Sequence, residues 1–435
     1  MNSQEGRKNF QVAIVGGGIC GLVFAIALAK AGVKVDIFEA ASKYGEIGAG
    51  IGIGPNAVRA LKKLGILDDV AAKSEDSPCV RPFQFRRAGR GHEVLYEYEC
   101  QPEDVGFALH RAALLDGLAA LIDPNIVPTH FKKRCVDITQ SSTSPPRTII
   151  HFADGSTHET DVVVGADGVK STVRRFVIGP EASEKALVFT NTVAYRGLVG
   201  VETLKKAGMK AEMTPFPNSW MGDGRHIITF PIRDNTVLNI VAFVTDFSKP
   251  MQPVDPNSRQ SWVEEVTQTE LLDQYAGWGE DPLIMLKCIV RPSRWSVHGI
   301  YPPLNTYVKN NVVLLGDAAH GMLPHLGAGA GAGIEDAYIL YRLLCHPQTT
   351  SSNLPDVLRA YDAVRVPRGA YIAQGSKAAG DLYEGHGPSG PQDEGRLADL
   401  QGLWEKVWHH DLDKEMDDCI HMLTTSGAYA SAVVD

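Results

Sequence analysis

Three glycines stand at the spacing at which a polypeptide can turn closely around a phosphate group. Gly16, Gly18 and Gly21 follow the apolar run 11–15, and a second apolar run ends at Glu39. A buried strand, a glycine turn, a helix and a second strand together predict a dinucleotide-binding unit, with the phosphates at the helix N-terminus. An acid at the end of the second strand binds ribose hydroxyls and disfavours a 2′-phosphate, so the motif predicts NAD or FAD.

Two further motifs favour FAD. Residues 161–171 predict a strand that ends in Asp167-Gly168, and a later strand is followed by Asp317 and a glycine-rich helix entrance at 327–333. A Gly-Asp turn places a carboxylate near a ribityl hydroxyl, and the N–H groups of the helix entrance would face the flavin pyrimidine, where negative charge develops on reduction. Taken alone, the Asp167-Gly168 motif is also consistent with a simple turn, and Asp317 is also consistent with a helix cap. Jointly they indicate a flavin.

The elements that position these motifs alternate between helices and strands. Periodicity predicts helices over 19–30, ended by Gly32, and over 334–344, with a buried strand over 311–315. Period-two alternation predicts antiparallel ribbons and an inserted β-rich block. These lie at 82–98 with a turn at 88–91, at 148–164 with a turn at Asp154-Gly155, and at 185–291, where strands 226–230 and 237–243 flank Asp234-Asn235.

Composition limits the class of protein. The chain has 435 residues, 44% hydrophobic and 21% charged, with a formal net charge of −9. The charge and the lack of a basic cluster argue against a nucleic-acid partner. The polar N-terminus is unlike a secretory signal and no apolar run is long enough for a membrane span, so we expect a cytoplasmic protein. The seven cysteines contain no Cys-x-x-Cys pair, so we expect reduced thiols and no metal.

In order and spacing, the three motifs resemble the single-component (group A) FAD-dependent aromatic hydroxylases, whose type member hydroxylates para-hydroxybenzoate. The runs 45–51, 55–57, 110–111, 195–197 and 327–331 are most similar to the salicylate hydroxylase branch, particularly its fungal members. The resemblance implies an α/β fold, with a Rossmann-type FAD-binding domain, an inserted β-sheet substrate domain like that of para-hydroxybenzoate hydroxylase, and C-terminal helices.

The implied domain organisation divides the chain into six segments. Three parts of the FAD-binding domain would alternate with the substrate domain and precede a helical segment. The FAD-binding parts are 10–80, 101–184 and 292–380, the substrate domain consists of a β-ribbon at 81–100 and a block at 185–291, and the C-terminal helical segment is 381–435.

By the same resemblance, nine positions would contact FAD. Glu39 would bind the adenosine ribose, Arg111 the linker and Asp317 the ribityl chain, while Asp167 would serve a motif shared by FAD and nicotinamide. The other five would give the phosphate turn and backbone contacts: Gly16, Gly18, Gly21, Gly52 and Ala330. Many relatives carry Gln or Asn at the position of Ala332, so no side-chain contact to the flavin is expected there.

The resemblance also implies a reaction of NADH and O2 with a small aromatic acid. NADH would reduce FAD, and the reduced flavin would activate O2 and transfer one oxygen atom to an electron-rich ring. A phenolate accepts that oxygen best, so a base with a pKa near neutrality is needed, which points to histidine. For salicylate, attack at the carbon that bears the carboxylate releases CO2 and leaves catechol. The site must therefore hold a carboxylate.

The predicted catalytic residues are His320, His226 and Arg196. His320 lies beside the Gly-Asp turn, and Arg196 corresponds to an arginine often assigned an active-site role in the family. Phe230 stands where some relatives have a tyrosine, so the resemblance supplies no second catalytic residue there. The predicted substrate contacts are a further cation and apolar walls: Arg225, Trp220, Met213, Met322, Leu323 and Pro324. A purely structural role stays open for His226, Arg225 and His320.

Three alternatives stay open from the sequence. The same fold could hydroxylate another phenolic or N-heteroaromatic acid or a fungal secondary metabolite. The chain could also be a flavin-dependent reductase that does not activate O2, or a non-catalytic flavin-binding protein. The absence of a Cys-x-x-x-x-Cys pair disfavours a disulfide reductase. We expect a monomer or a homodimer.

Overall fold

The structure, a computed structural model, describes residues 8–45, 50–72, 78–89, 93–144, 146–255 and 261–431. Two sequence patterns lie partly outside these ranges, namely residues 46–49 of the run 45–51 and residues 90 and 91 of the predicted turn. Within the described ranges, no helix combines the length and the apolar character needed to cross a membrane.

Helices and strands alternate along the chain. The helices are α1 Ile19–Lys30, α2 Pro55–Lys63, α3 Leu67–Ala72, α4 Arg111–Ala119, α5 Thr172–Ile178, α6 Pro180–Ala186, α7 Val201–Lys206, α8 Gln268–Gln274, α9 Glu280–Lys287, α10 Asp317–His320, α11 Gly329–Cys345, α12 Leu354–Tyr383, α13 Asp393–Leu400, α14 Glu405–Trp408 and α15 Leu412–Thr425. The strands are β1 Gln11–Val15, β2 Lys34–Phe38, β3 Gly50–Ile53, β4 Cys79–Val80, β5 Gln84–Arg87, β6 Val94–Glu97, β7 Val105–His110, β8 Thr129–His130, β9 Cys135–Gln140, β10 Thr148–Phe152, β11 Thr157–Thr160, β12 Val162–Gly165, β13 Leu187–Gly200, β14 Asn218–Met221, β15 Arg225–Ile232, β16 Val237–Thr245, β17 Gln252–Pro253, β18 Val263–Glu265, β19 Ser293–Ile300, β20 Val308–Lys309 and β21 Val312–Leu314.

The first sheet is the parallel core of the nucleotide-binding part. Its order is β20-β21-β12-β1-β2-β8, with β20 antiparallel at one edge. Its central strands are buried along almost their whole length, which explains their continuous apolar sequences. Helix α1 packs against β2 and α11. It ends as predicted, because Gly32 adopts a positive φ of 73° just beyond the last turn.

The second sheet has two faces with different roles. Its order is β18-β19-β13-β16-β15-β14-β5-β6, and β17 pairs with β13 beside this path. Side chains alternate between the faces because a strand has a period of two residues. One face, here called the back face, packs into a core with α8 and α9, in which Tyr195, Ile227 and Met285 are buried. The opposite or front face carries Val241 and Phe243.

Two elements differ from their sequence predictions. The ribbon predicted over 148–164 ends at Thr160, because β9, β10 and β11 form a sheet of their own and β12 joins the parallel core. Helix α11 begins at Gly329 rather than at residue 334, because close contacts of Gly331 and Gly333 outweigh the low helix propensity of glycine. The architecture otherwise confirms the predicted α/β fold with C-terminal helices, whereas the exact domain boundaries stay predictions.

Candidate active site

The first glycine motif is folded as a phosphate-binding turn. Gly16 has a φ of 110°, and a Cβ there would collide with the carbonyl of Ala166, in the second motif. A Cβ on Gly21 would collide with the carbonyl oxygen of Gly16, so this glycine allows helix α1 to pack on the turn. No described atom lies within 4 Å of the Cβ position on Gly18, which leaves space for a pyrophosphate at the uncapped start of α1.

Cys20 joins the first and third motifs. Its Sγ fills the space beside both glycines, because a Cβ on Gly333 would clash with it and a Cβ on Gly316 would lie 3.1 Å from it. The start of α1, the Gly-Asp turn and the start of α11 therefore meet at one side chain. Asp317 lies at this junction. It is exposed and its carboxylate forms no hydrogen bond within the described part of the chain, so it is available to a ribityl hydroxyl.

The two other predicted acids already bind backbone N–H groups. The carboxylate of Glu39 accepts hydrogen bonds from the N–H groups of Gly17 and Ala41, both at 2.7 Å, and each oxygen keeps a free lone pair for a ribose. Asp167 accepts hydrogen bonds from the N–H groups of Thr172 and Val173 at the start of α5. The role that the structure gives Asp167 is thus to hold this helix, and its direct contact with a nucleotide stays a prediction.

The remaining cofactor positions surround the same space. Gly52 lies on β3, with no described atom within 4 Å of its Cβ position. Arg111 begins α4 directly after β7, the partner of β3. Ala330 is half-buried in the first turn of α11, whose N-terminus has no side-chain cap. Ala332 is fully buried, which agrees with the expectation that its side chain does not reach the flavin.

The front face of the second sheet forms one wall of the site. In register, Arg196 stands opposite Val241, which stands opposite Ile228. Phe230 and Asn239 contact Gly50 of β3, and Asn239 Oδ1 accepts a hydrogen bond from the Gly50 N–H at 2.9 Å. The front face therefore meets the cofactor side at β3. Asn239 was not singled out from the sequence, because its partner lies 189 residues away.

Arg196 is a cation on this wall for which the described residues supply no counterion. Its guanidinium lies 4.8 Å above the ring of Trp295, and its Nε is buried without a hydrogen-bond partner. Burial, and then the nearby charge of Arg111, lower the pKa of Arg196 to about 10. A carboxylate ligand would remove both penalties, because it supplies a hydrogen-bond acceptor and a compensating charge.

Three predicted substrate contacts lie on the wrong face. Trp220 and Met213 are buried in the back-face core, together with Tyr195. Arg225 precedes His226 on β15, so the strand alternation turns the two side chains to opposite faces, and the charge of Arg225 acts on Tyr275 of the back-face core. The sequence predictions for Arg225, Trp220 and Met213 are therefore wrong.

The structure gives His320 a partner on α11. It is buried, and its Nε2 lies 2.6 Å from the Asp336 carboxylate. Burial alone would lower the pKa of His320, but the charge of Asp336 and the hydrogen bond to it raise that pKa above 6.5. Because Nε2 is held by Asp336 and the ring lies near Tyr307 and Gly369, the structure gives His320 the role of joining α10 to α11. Its predicted role as the base stays a prediction.

Two further histidines lie at the front face. His226 stacks on Phe243 with ring centroids 4.5 Å apart, and His325 meets His226 edge-on at 5.0 Å. His226 Nδ1 lies 2.8 Å from the Glu384 carboxylate, and its Nε2 is buried without a partner. His325 belongs to the third motif and could have been found there, whereas Glu384 lies at the end of α12 with no local signal.

The loop that carries His325 forms the opposite side of the site. Met322 approaches Gly329 at the start of α11, and Pro324 is exposed. Leu323 and His325 line a cleft of about 270 Å³. The cleft is completed by hydroxyl and charged side chains, among them Thr192, Thr245, Asp246, Lys377, Asp381 and Glu384.

Buried ion pairs hold the start of α11 in place. The Glu335 carboxylate accepts hydrogen bonds from Asn56 at 2.7 Å, from Arg368 at 2.8 Å and from Arg365 at 3.0 Å. Burial alone would raise the pKa of Glu335, but the two arginines lower it to about 2. Because Asn56 lies on α2 and both arginines on α12, this network fixes the helix entrance from two sides.

Comparison with known proteins identifies the family of the chain. Residues 9–376 match the FAD binding domain family. A salicylate hydroxylase of Pseudomonas putida is 37% identical over 426 residues, which cover 95% of each chain. A 6-methylsalicylate 1-monooxygenase of Aspergillus terreus is 33% identical, over 94% of this chain and 92% of the relative. The structure of a salicylate hydroxylase substrate complex covers 94% of this chain and 98% of its own, with a TM-score of 0.83 and 33% identity.

The resemblance proposed from the sequence is thereby confirmed. The residues of the three motifs fit FAD. Among the described residues they combine two helix N-termini without a side-chain cap, an open glycine and a carboxylate without a hydrogen-bond partner. The chain belongs to the FAD binding domain family and is an FAD-dependent aromatic monooxygenase of the salicylate hydroxylase type.

Proposed function

We propose that this monooxygenase uses NADH and O2 to convert salicylate to catechol, with release of CO2. The observation that carries the proposal is Arg196, a front-face cation with no acidic partner in the described ranges. A substrate carboxylate bound there would form a charge-assisted hydrogen bond, for which about 1.5–3 kcal/mol is typical. Two salicylate hydroxylases of Pseudomonas putida, 37% and 38% identical to the chain, support this substrate class.

The chain's own residues would bind the acid and accept its proton. FAD, when bound, supplies the transfer of electrons from NADH to O2 and of one oxygen atom to the ring. Arg196 binds the carboxylate, and the Nε2 of His226 accepts the phenol proton. Ile228 and Val241 give an apolar surface between these two groups. Phe230 has no hydroxyl group that could accept the phenol proton, so a histidine must accept it.

Turnover of the FAD-loaded protein tests the proposal. Salicylate should accelerate NADH oxidation and yield catechol in near-stoichiometric amount, with a higher kcat/KM for NADH than for NADPH. Benzoate lacks the hydroxyl group, so it should promote flavin reduction but yield hydrogen peroxide instead of a hydroxylated product. The measurements are NADH absorbance, chromatography of the product and a peroxide assay.

Substitutions of Arg196 test its role. Arg196→Met should raise KM for salicylate by at least about tenfold, because about 1.4 kcal/mol corresponds to that factor, and Arg196→Lys should lie between it and the wild type. Arg175→Met removes an exposed arginine of α5 and is the matched control. An unchanged KM in Arg196→Met would contradict the assignment.

A second candidate substrate is 6-methylsalicylate, because a relative named for that reaction is 33% identical over most of the chain. If this acid or another phenolic acid is hydroxylated while salicylate is not, the salicylate proposal fails and the monooxygenase assignment is unaffected. If kcat/KM is equal for the two acids, the methyl group does not contribute to substrate recognition.

A further inference from the structure

Glu384 holds His226 by one of its two ring nitrogens. Glu384 follows the last residue of α12, is 1% exposed, and lies 2.8 Å from His226 Nδ1. The Thr245 hydroxyl also forms a hydrogen bond with its carboxyl group. Stacking on Phe243 and the edge of His325 fix the plane of the imidazole. The other nitrogen, Nε2, is buried and has no hydrogen-bond partner in the described ranges, so a phenol hydroxyl that reached it would satisfy it.

The protonation of Glu384 decides which tautomer His226 adopts. An ionised Glu384 accepts a hydrogen bond from Nδ1–H, which leaves Nε2 as a proton acceptor. A protonated Glu384 donates to Nδ1 instead, so that Nε2 carries the hydrogen and cannot act as a base. Burial raises the pKa of Glu384 to about 7, and burial lowers the pKa of His226 to about 3, so the imidazole stays neutral in either state.

Glu384 also stands between His226 and the cleft. Glu384 and His325 line the cleft, whereas His226 does not. Several titratable groups face Glu384 from the packed elements: His325 from the loop before α11, Asp381 on α12, His386 beyond it and Tyr275 from the back face. Asp381 is itself hydrogen-bonded to Lys377.

We propose that Glu384 is a positioning residue that sets the tautomer of His226 and carries the substrate's phenol proton from His226 to the cleft. The phenol O–H bond breaks as the Nε2–H bond forms, and Nδ1–H passes its proton to Glu384. Glu384 then releases the proton to water in the cleft. The reverse transfer, from water through Glu384 to Nδ1 and from Nε2 to the departing product, restores the starting tautomer. No charge remains on the imidazole, and no oxidant or reductant is needed. The proposal rests on the proposed function only in requiring a phenolic substrate.

Glu384→Gln tests the tautomer directly. The amide can hydrogen-bond to Nδ1 as donor or as acceptor but does not titrate, so the tautomer of His226 should no longer change with pH. In FAD-loaded protein with 15N-labelled histidine, the wild-type His226 signal should move from the Nε2–H to the Nδ1–H tautomer as pH rises through about 7, and the variant signal should not. The same signal in both proteins at every pH would overturn the proposal.

Kinetics give a second readout. Glu384→Gln should lower kcat by about 10²-fold, as for loss of a proton-transfer group, with KM for the phenolic acid nearly unchanged and the rise of kcat near neutral pH absent. Imidazole or formate that enters the cleft should restore part of kcat, and Glu384→Asp should retain more activity than the amide. Glu270→Gln, on the back face, is the matched control.

The two readouts separate this proposal from the proposed function. FAD content and circular dichroism identify a variant that fails to fold. Thr245→Val then takes its place in the NMR experiment, because loss of the hydrogen bond from Thr245 should move the tautomer change to higher pH. A tautomer change in the wild type without catechol formation would reject salicylate and retain the relay. Catechol formation with an unchanged kcat–pH profile in Glu384→Gln would reject the relay alone.

Discussion

Asp317 offers a free carboxylate beside the glycine-rich start of α11. With FAD bound, we expect this group to accept a hydrogen bond from the ribityl chain. Asp317→Ala should then weaken FAD binding by about 1.5–3 kcal/mol, the scale for a hydrogen bond to a charged group. Titration of the apoprotein, followed by flavin fluorescence, measures the loss. Glu394→Ala, in an exposed position on α13, is the control, and equal affinities in the two variants would reject the role.

The predicted cofactor residues depend on local motifs, whereas the predicted substrate residues depend on long-range contacts. Gly16, Glu39 and Asp317 each act within a few residues of their own strand end, so their spacing carries the information. The role of His320 depends instead on Asp336, which reaches His320 only after α11 has folded beside α10. No periodicity in the sequence reports that contact.

At the scale of elements, the alternation of side chains on β15 predicts which residues share a face. It does not predict which face forms the wall of the site. The sequence grouped Arg225 and His226 as candidates, although adjacent residues on a strand must point to opposite faces. The choice of face depends on α8 and α9, which cover the back, and on β3, which meets the front. These contacts are long-range, so hydrophobic pattern alone could not supply them.

The ion pair of His320 and Asp336 joins α10 to α11 and should make stability depend on pH. The pKa of His320 is raised in the folded protein, so the stabilisation is fully present below its ordinary pKa of 6.5 and is lost as pH rises through the raised value. We therefore expect the wild-type melting temperature to fall with pH above about 6.5, and His320→Gln to lack this decline. Thermal unfolding monitored by circular dichroism between about pH 6 and about pH 9 measures it.

Other buried groups titrate in different ranges. Burial lowers the pKa of His226 and of His325 to about 3, so their contributions change on the acid side of 6.5. Glu384, with its pKa raised to about 7, loses stabilisation as pH rises from 4.5 to about 7. A decline above pH 7 that persists unchanged in His320→Gln would therefore show that another group causes it.

At the scale of the whole molecule, α12 ties the C-terminal helices to the cofactor side. Arg368 binds Glu335 on α11 and donates hydrogen bonds to the carbonyls of Lys406 and Val407, while Arg365 binds Glu415 on α15. Arg368→Met should lower the free energy of unfolding by about 3–5 kcal/mol, because it leaves a buried charge without one partner. It should also weaken FAD binding, since the start of α11 loses a support.

Urea unfolding and FAD titration of the same preparations measure both effects. Lys185→Met, which breaks the exposed pair with Glu181, is the matched control and should change neither quantity measurably. If Arg368→Met lost stability but bound FAD as the wild type does, the C-terminal helices would serve the fold alone.

Because the side chains of β15 alternate between two faces, natural substitutions can change the wall of the site without changing the back-face core. Positions 226, 228 and 230 form part of the wall of the site, while positions 225 and 227 belong to the back face. A descendant enzyme could bind a different aromatic substrate after substitution of every second residue of β15. The residues of the back-face core could then stay unchanged. The insertion or deletion of a single residue would exchange the two sets at once, because a one-residue slip turns every side chain over. Selection should therefore tolerate substitutions in this strand far more readily than changes in its length.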